Sequence, residues 1–182
     1  MRNDAQRNRA RILAAAEVVF GEHGAAGSTE DVARRAGVGI ATVFRHFPTK
    51  EALIEAALLA HFGELLGRAR TLADEPDPAA ALRSLVSVMI RAGATKITLA
   101  GLVGEFPAAV RAASAELRAA VEAALRRAQE SGAARRSVTV DELYLLIRAL
   151  AQVAATQPPA EQTLDRAIDV VLVGIGASTH PR

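Results

Sequence analysis

A chain of 182 residues with a net charge of +2, 51% hydrophobic residues and no cysteine is long enough to bury a substantial core without a covalent staple. The absence of cysteine excludes disulfides, thiolate metal sites and cysteine nucleophiles, and fits the reducing cytosol, where the protein is expected to work. The uncharged stretch Ala149–Ala160 is too short for a membrane span and contains Pro158 and Pro159, so no membrane association is expected.

The charge is unevenly placed: residues 1–50 hold eight Arg or Lys against five Asp or Glu, and the remainder hold fourteen against fifteen. Arg2, Arg7, Arg9 and Arg11 precede or open the first predicted helix and make a basic arm suited to an acidic polymer. The opening segment has no apolar run leading to a small-residue cleavage site, and does not read as a signal peptide.

Alanine is abundant, β-branched residues rarely alternate with polar ones and no hairpin dipeptide joins alternating runs, so an all-α fold is predicted. Ile12, Ala16, Val19 and Phe20 recur at helical spacing in a first helix that ends near His23 and Gly24, with Gly27 closing the loop. Ser28 with Asp31 has the spacing of a capping box and starts a short second helix, which Gly37 turns sharply and Val38 plugs. Gly39 caps a third helix from Ile40 to about His46, and Pro48 cannot continue it. Thr49 then caps a fourth, whose stripe of Leu53, Ala57, Leu58, Phe62, Leu65 and Leu66 runs toward Arg70 and makes it a connector. After an acidic, proline-rich turn at 73–80, helices are predicted at Pro78–Thr95, Lys96–Phe106, Pro107–Ser131, Val140–Thr156 and Pro159–Ala177.

Two short helices joined by a glycine turn and burying Val32, Ala36, Val38, Val43 and Phe47 make a helix-turn-helix. With Val43 and Phe47 inward, Ile40, Ala41, Thr42, Phe44, Arg45 and His46 are left on the outer surface. A helix of this width enters the major groove, where Thr bonds a base or phosphate, Arg grips guanine and apolar groups meet the thymine methyl. The predicted partner is double-stranded DNA.

The segment STEDVARRAGVGIATVFRHFPTKEAL, residues 28–53, resembles the DNA-binding segment of the TetR family of bacterial regulators, and the likeness extends over roughly residues 7–60. The resemblance implies groove or phosphate contacts by Ile40, Ala41, Thr42, Phe44, Arg45 and His46, and backbone contacts by Thr29 and Lys50, each of which also sits at the first turn of a helix, where free amides favour a phosphate. Three positions depart from the family pattern: Phe44 where tyrosine is common, Gly39 where serine is common and Ala41 where glycine is common. The resemblance further implies a helix-turn-helix domain at residues 1–50 and a helical effector-binding and dimerisation domain at 51–182. Its function would be that of a transcriptional regulator, a repressor released from a palindromic operator by a small molecule.

The last helix carries Leu164, Ile168, Leu172 and Ile175 on one face and Val170, Val171 and Val173 on the others, which calls for cover on more than one side. A homodimer through the last two helices is expected. Candidate effector contacts are the polar groups in or beside apolar helices, Arg91, Thr95, Lys96, Thr98, Glu105 and Tyr144, while the scarcity of aromatics beyond Phe62, Phe106 and Tyr144 argues against a pocket built on ring stacking. His23, His46, His61 and His180 are scattered without zinc spacing, and no glycine-rich phosphate loop follows a strand, so no catalytic residue, metal or cofactor is expected. A helical adaptor is the remaining rival, and unlike a DNA-binding protein it need not be retained on a DNA column and released by salt.

Overall fold

Helical periodicity dominates the computed structural model, which describes residues 2–176. Its helices are α1 (Arg2–His23), α2 (Thr29–Ala36), α3 (Ile40–His46), α4 (Lys50–Ala73), α5 (Pro78–Gly101), α6 (Ala108–Glu130), α7 (Val140–Thr156) and α8 (Glu161–Ile175), with a single 3-10 turn at Gly24–Ala26. Among the described residues there is no strand, only an isolated antiparallel bridge between Ala134 and Gly176. Ala177, the predicted end of the last helix, lies outside the described residues, as do His180 and the side chain of Arg2.

Several boundaries differ from expectation: α8 begins at Glu161 and not at Pro159, and α6 is one residue shorter at each end. The break placed between Thr95 and Lys96 does not exist: α5 runs through it to Gly101, because nothing at that junction removes an amide or favours a turn, and the chain leaves the helix only where Gly101, Gly104 and Pro107 accumulate. Of the two places expected for the basic front of the chain, before the first helix or at its opening, it takes the second, since α1 begins at Arg2.

The chain forms two compact units, Met1–Gly63 with Thr95–Ala113, and Glu64–Ala94 with Ser114–Arg182. In the first, Ile12, Ala16, Val19 and Phe20 of α1, Val32 and Ala36 of α2, Val43 of α3, Phe47 just beyond it, and Leu53, Ala57 and Leu58 of α4 are buried. In the second, Leu85, Val86 and Ile90 of α5, Leu117, Val121 and Leu125 of α6, Leu143 and Ile147 of α7, and Ile168 and Ile175 of α8 are buried, each large side chain contributing roughly 1.5–3 kcal/mol. A Cβ added at Gly93 would stand 2.5 Å from the Cβ of Ala151, so α5 and α7 approach there at a distance that glycine permits.

Two reciprocal capping boxes start the helices that matter for function. The Ser28 hydroxyl accepts the Asp31 amide at 3.0 Å while the Asp31 carboxylate accepts the Ser28 amide at 3.3 Å, as the sequence spacing predicts. Thr139 and Glu142 repeat the arrangement at the head of α7, a pairing that the T-x-x-E spacing carries but that the sequence reading did not single out. The Ser28 side-chain hydrogen bond holds Asp31 below its ordinary pKa, and the Thr139 backbone amide does the same for Glu142. A carboxyl depressed in the folded state stabilises above its unfolded pKa of about 4 and loses that contribution as the pH falls through the lowered value. We therefore expect acid to loosen both helix starts, and Asp31→Asn with Glu142→Gln to flatten the acid limb of a urea-stability profile measured between neutral pH and about pH 3. Ser28→Ala is expected to cost about 1 kcal/mol at neutral pH.

Candidate nucleic-acid interface

The turn between α2 and α3 depends on Gly37, whose φ of 64° lies in the left-handed region that side chains with a Cβ avoid. Its amide donates to Arg34 and the Val38 amide to Ala33, so α2 closes cleanly and α3 starts at an angle. Gly39 caps α3 with its backbone alone, as expected from the missing serine.

On α3, Val43 and the following Phe47 are buried, four residues apart on the inner face. Ile40, Ala41, Phe44 and Arg45 are exposed, while Thr42 and His46 are half-buried at the flanks. This is the outer surface expected from the sequence. Ile40 is 37% exposed and Phe44 43%, so two large apolar groups stand in water beside a cation. Arg45 has no hydrogen bond, ion pair or ring contact among the described residues, which leaves its five donors for a ligand. Arg35 on α2 is likewise exposed and unpaired among them, a cation that the sequence reading did not single out, whereas neighbouring Arg34 pairs with Asp31.

The other basic groups are placed differently. Arg7 is exposed, but Arg9 stacks over the Phe47 ring at 5.4 Å and Arg11 donates to the Gly37 carbonyl at 3.4 Å, so two of the arm's cations brace the helix-turn-helix. Thr29 is buried and its hydroxyl donates to Glu30 at 3.1 Å. Lys50 donates to the carbonyls of Ala25 at 3.0 Å and Gly27 at 2.6 Å.

The four principal effector candidates divide between the two units. Thr95 and Glu105 belong to the first unit, Arg91 and Tyr144 to the second. Arg91 is held on the surface by Asp165 and Glu161 of α8, beside a parallel pair of Arg83 with Asp169. Glu105 is exposed in the loop after α5. Tyr144 differs: its hydroxyl is buried with no hydrogen-bond partner among the described residues, burial pushes its pKa up to about 12 against the opposing pull of Arg118, and the Arg118 guanidinium lies 5.3 Å over its ring. An open groove of about 570 Å³ in the second unit is lined by Glu64, Gly67, Arg68, Thr71, Leu72, Ser84 and Val88, none of them a candidate. Among the described residues no cluster of His, Asp or Glu could hold a metal ion, and no helix is long and apolar enough to cross a membrane.

A glycine-turned helix pair presenting unpaired arginine and exposed apolar groups, followed by a helical second unit, defines a helix-turn-helix DNA-binding protein. Residues 12–57 match the family described as bacterial regulatory proteins, tetR family, and residues 77–177 match the C-terminal domain of SbtR-like transcriptional regulators. The chain belongs to the TetR family and is a DNA-binding regulator of transcription, not an enzyme. Among solved structures, the TetR transcriptional regulator SCO0520 from Streptomyces coelicolor superposes with a TM-score of 0.82 at 30% identity, covering 94% of this chain and 99% of that one. The TetR transcription regulatory protein from Mycobacterium vanbaalenii gives 0.78 at 32% identity, covering 96% and 98%. The HTH-type transcriptional regulator TtgR of Pseudomonas putida is 38% identical over 88 residues, so the match spans 47% of this chain and less than half, 42%, of that relative.

Proposed function

We propose that the protein is a homodimeric repressor that binds a palindromic operator in the cytosol and is released by a small-molecule effector, with residues 1–50 reading DNA and 51–182 serving effector binding and dimerisation. The observation that carries the dimer is the apolar surface of α7 and α8: Leu145, Val170 and Val173 are 69%, 72% and 74% exposed, and Leu146 and Val153 add to them. A second copy of the same helices covers this surface and sets two α3 helices to read half-sites related by two-fold symmetry. Ile40, Ala41, Thr42, Phe44, Arg45 and His46 make the groove and adjoining phosphate contacts, and Thr29 contributes its amide. Phe44 packs its ring on the sugar-phosphate wall without the bond a tyrosine hydroxyl would make.

Release follows if an apolar molecule with a hydrogen-bond acceptor for Tyr144 binds best in a state whose α3 helices are wrongly spaced; α4, unbroken from Lys50 to Ala73, is the lever. Linkage then requires the effector to bind the operator complex more weakly than the free protein, by the same factor as it weakens DNA binding. The test has two stages: footprinting on the DNA beside the protein's own gene, then a thermal-shift screen of metabolites and drugs whose hits are assayed for operator release. A two-fold-symmetric footprint lost on addition of a hit supports the reading; stabilising hits that leave operator affinity untouched across a broad library count against the effector.

A further inference from the structure

We propose that Lys50 is a positioning residue of the DNA-binding unit and not a phosphate contact. An ammonium has three N–H donors. In Lys50 one reaches the Ala25 carbonyl at 3.0 Å, one reaches the Gly27 carbonyl at 2.6 Å, and the charge sits 5.4 Å from the centroid of the Phe20 ring. The half-buried side chain therefore ties the first turn of α4 to the loop that ends α1 and leads directly into the Ser28 cap of α2. The loop lies hard against the same ring: a Cβ added at Gly27 would come within 2.9 Å of Phe20 Cδ1 and 3.2 Å of the Val19 carbonyl. Those loop carbonyls lie beyond the last hydrogen-bonded turn of α1, so the cation also sits at the negative end of that helix. Lys50 thus sets the entry of α2, and through it the angle at which α3 is offered to the groove. The proposal rests on the DNA-binding assignment only for that last step; the staple itself exists in the free protein.

That separation makes the test decisive. The chain has two lysines, Lys50 and Lys96, so reductive methylation of the unaltered protein resolves each by mass. Lys50 is expected to react much more slowly in the folded free protein than in the chain unfolded by guanidinium, with no further slowing when operator is added. A Lys50 that reacts freely without DNA and is protected by DNA overturns the proposal, whereas a protein that fails to bind any DNA counts against the DNA-binding assignment and leaves the free-state result standing. With Lys50→Met, measured well below its melting temperature and with helicity checked, operator affinity should fall about tenfold, the scale of the two lost hydrogen bonds, at an unchanged salt slope. A phosphate contact would instead make that slope shallower by about 0.9 per lysine, or about 1.8 for a dimer. Gly27→Ala displaces the accepting carbonyl without touching any charge and should reproduce the loss at the same slope; unchanged affinity in either folded variant overturns the proposal.

Discussion

Val173→Asp is expected to be a folded monomer at concentrations where the parent chain is a dimer. Val173 is 74% exposed in the protomer, so a carboxylate there meets water and leaves the core untouched. Against a second α8, the same carboxylate would be buried without a partner, at a cost of several kcal/mol, and two-fold symmetry applies it twice. Each 1.4 kcal/mol is tenfold, so the dimer constant should weaken by about 10³-fold or more. Operator affinity should fall with it, since two separate readers lose the advantage of a linked second half-site. Light scattering and circular dichroism on the variant decide the matter: an intact dimer, or a parent chain that is already monomeric at micromolar concentration, rejects the interface. Leu172, which the sequence makes an equally attractive target, is the wrong choice, because it is half-buried within its own protomer and an Asp there would test folding instead.

The second large effect is at Arg45. Its side chain is exposed and unpaired among the described residues, so Arg45→Ala removes no internal contact and should leave the melting temperature nearly unchanged. A bidentate contact to guanine is worth about 1–3 kcal/mol, and a dimer makes two, so operator affinity should drop by about 30-fold to more than 10⁴-fold. Non-specific DNA separates the two kinds of contact. If Arg45 reads a base, binding to random DNA barely changes; if it grips a phosphate, both DNAs weaken together and the salt slope becomes shallower. Unchanged operator affinity removes Arg45 from the interface.

Much of the first unit was legible because its signals are local. Ser28 with Asp31, Gly37, Gly39 and Pro48 each act on the backbone within a few residues of themselves, so the ends of α2 and α3 could be read without knowing what they pack against. Val43 and Phe47, one turn apart, then assigned the inner face of α3 and by difference the outer one. The break expected at Thr95 fails for the complementary reason. No local signal marked that position, and a helix that is apolar on several sides gives little periodicity from which to judge its length.

By itself, then, the sequence determined the class of fold, the family and which side chains of α3 face outward, since helix caps, glycine turns and helical spacing depend on residues close in the chain. The destinations of long charged side chains were decided only by the tertiary structure. Arg9 and Arg11 read as part of a basic arm and Lys50 as a group at the first turn of a helix, and in the free protein they reach the Phe47 ring, the Gly37 carbonyl and the carbonyls of Ala25 and Gly27, partners 23 to 38 residues away along the chain. Arg91 reads as a polar group that needs a partner or a ligand, and the partner that it meets is Asp165, 74 residues on. A flexible cation takes whichever acceptor the fold brings within reach, and which acceptors those are depends on how the helices pack, a property no single segment carries.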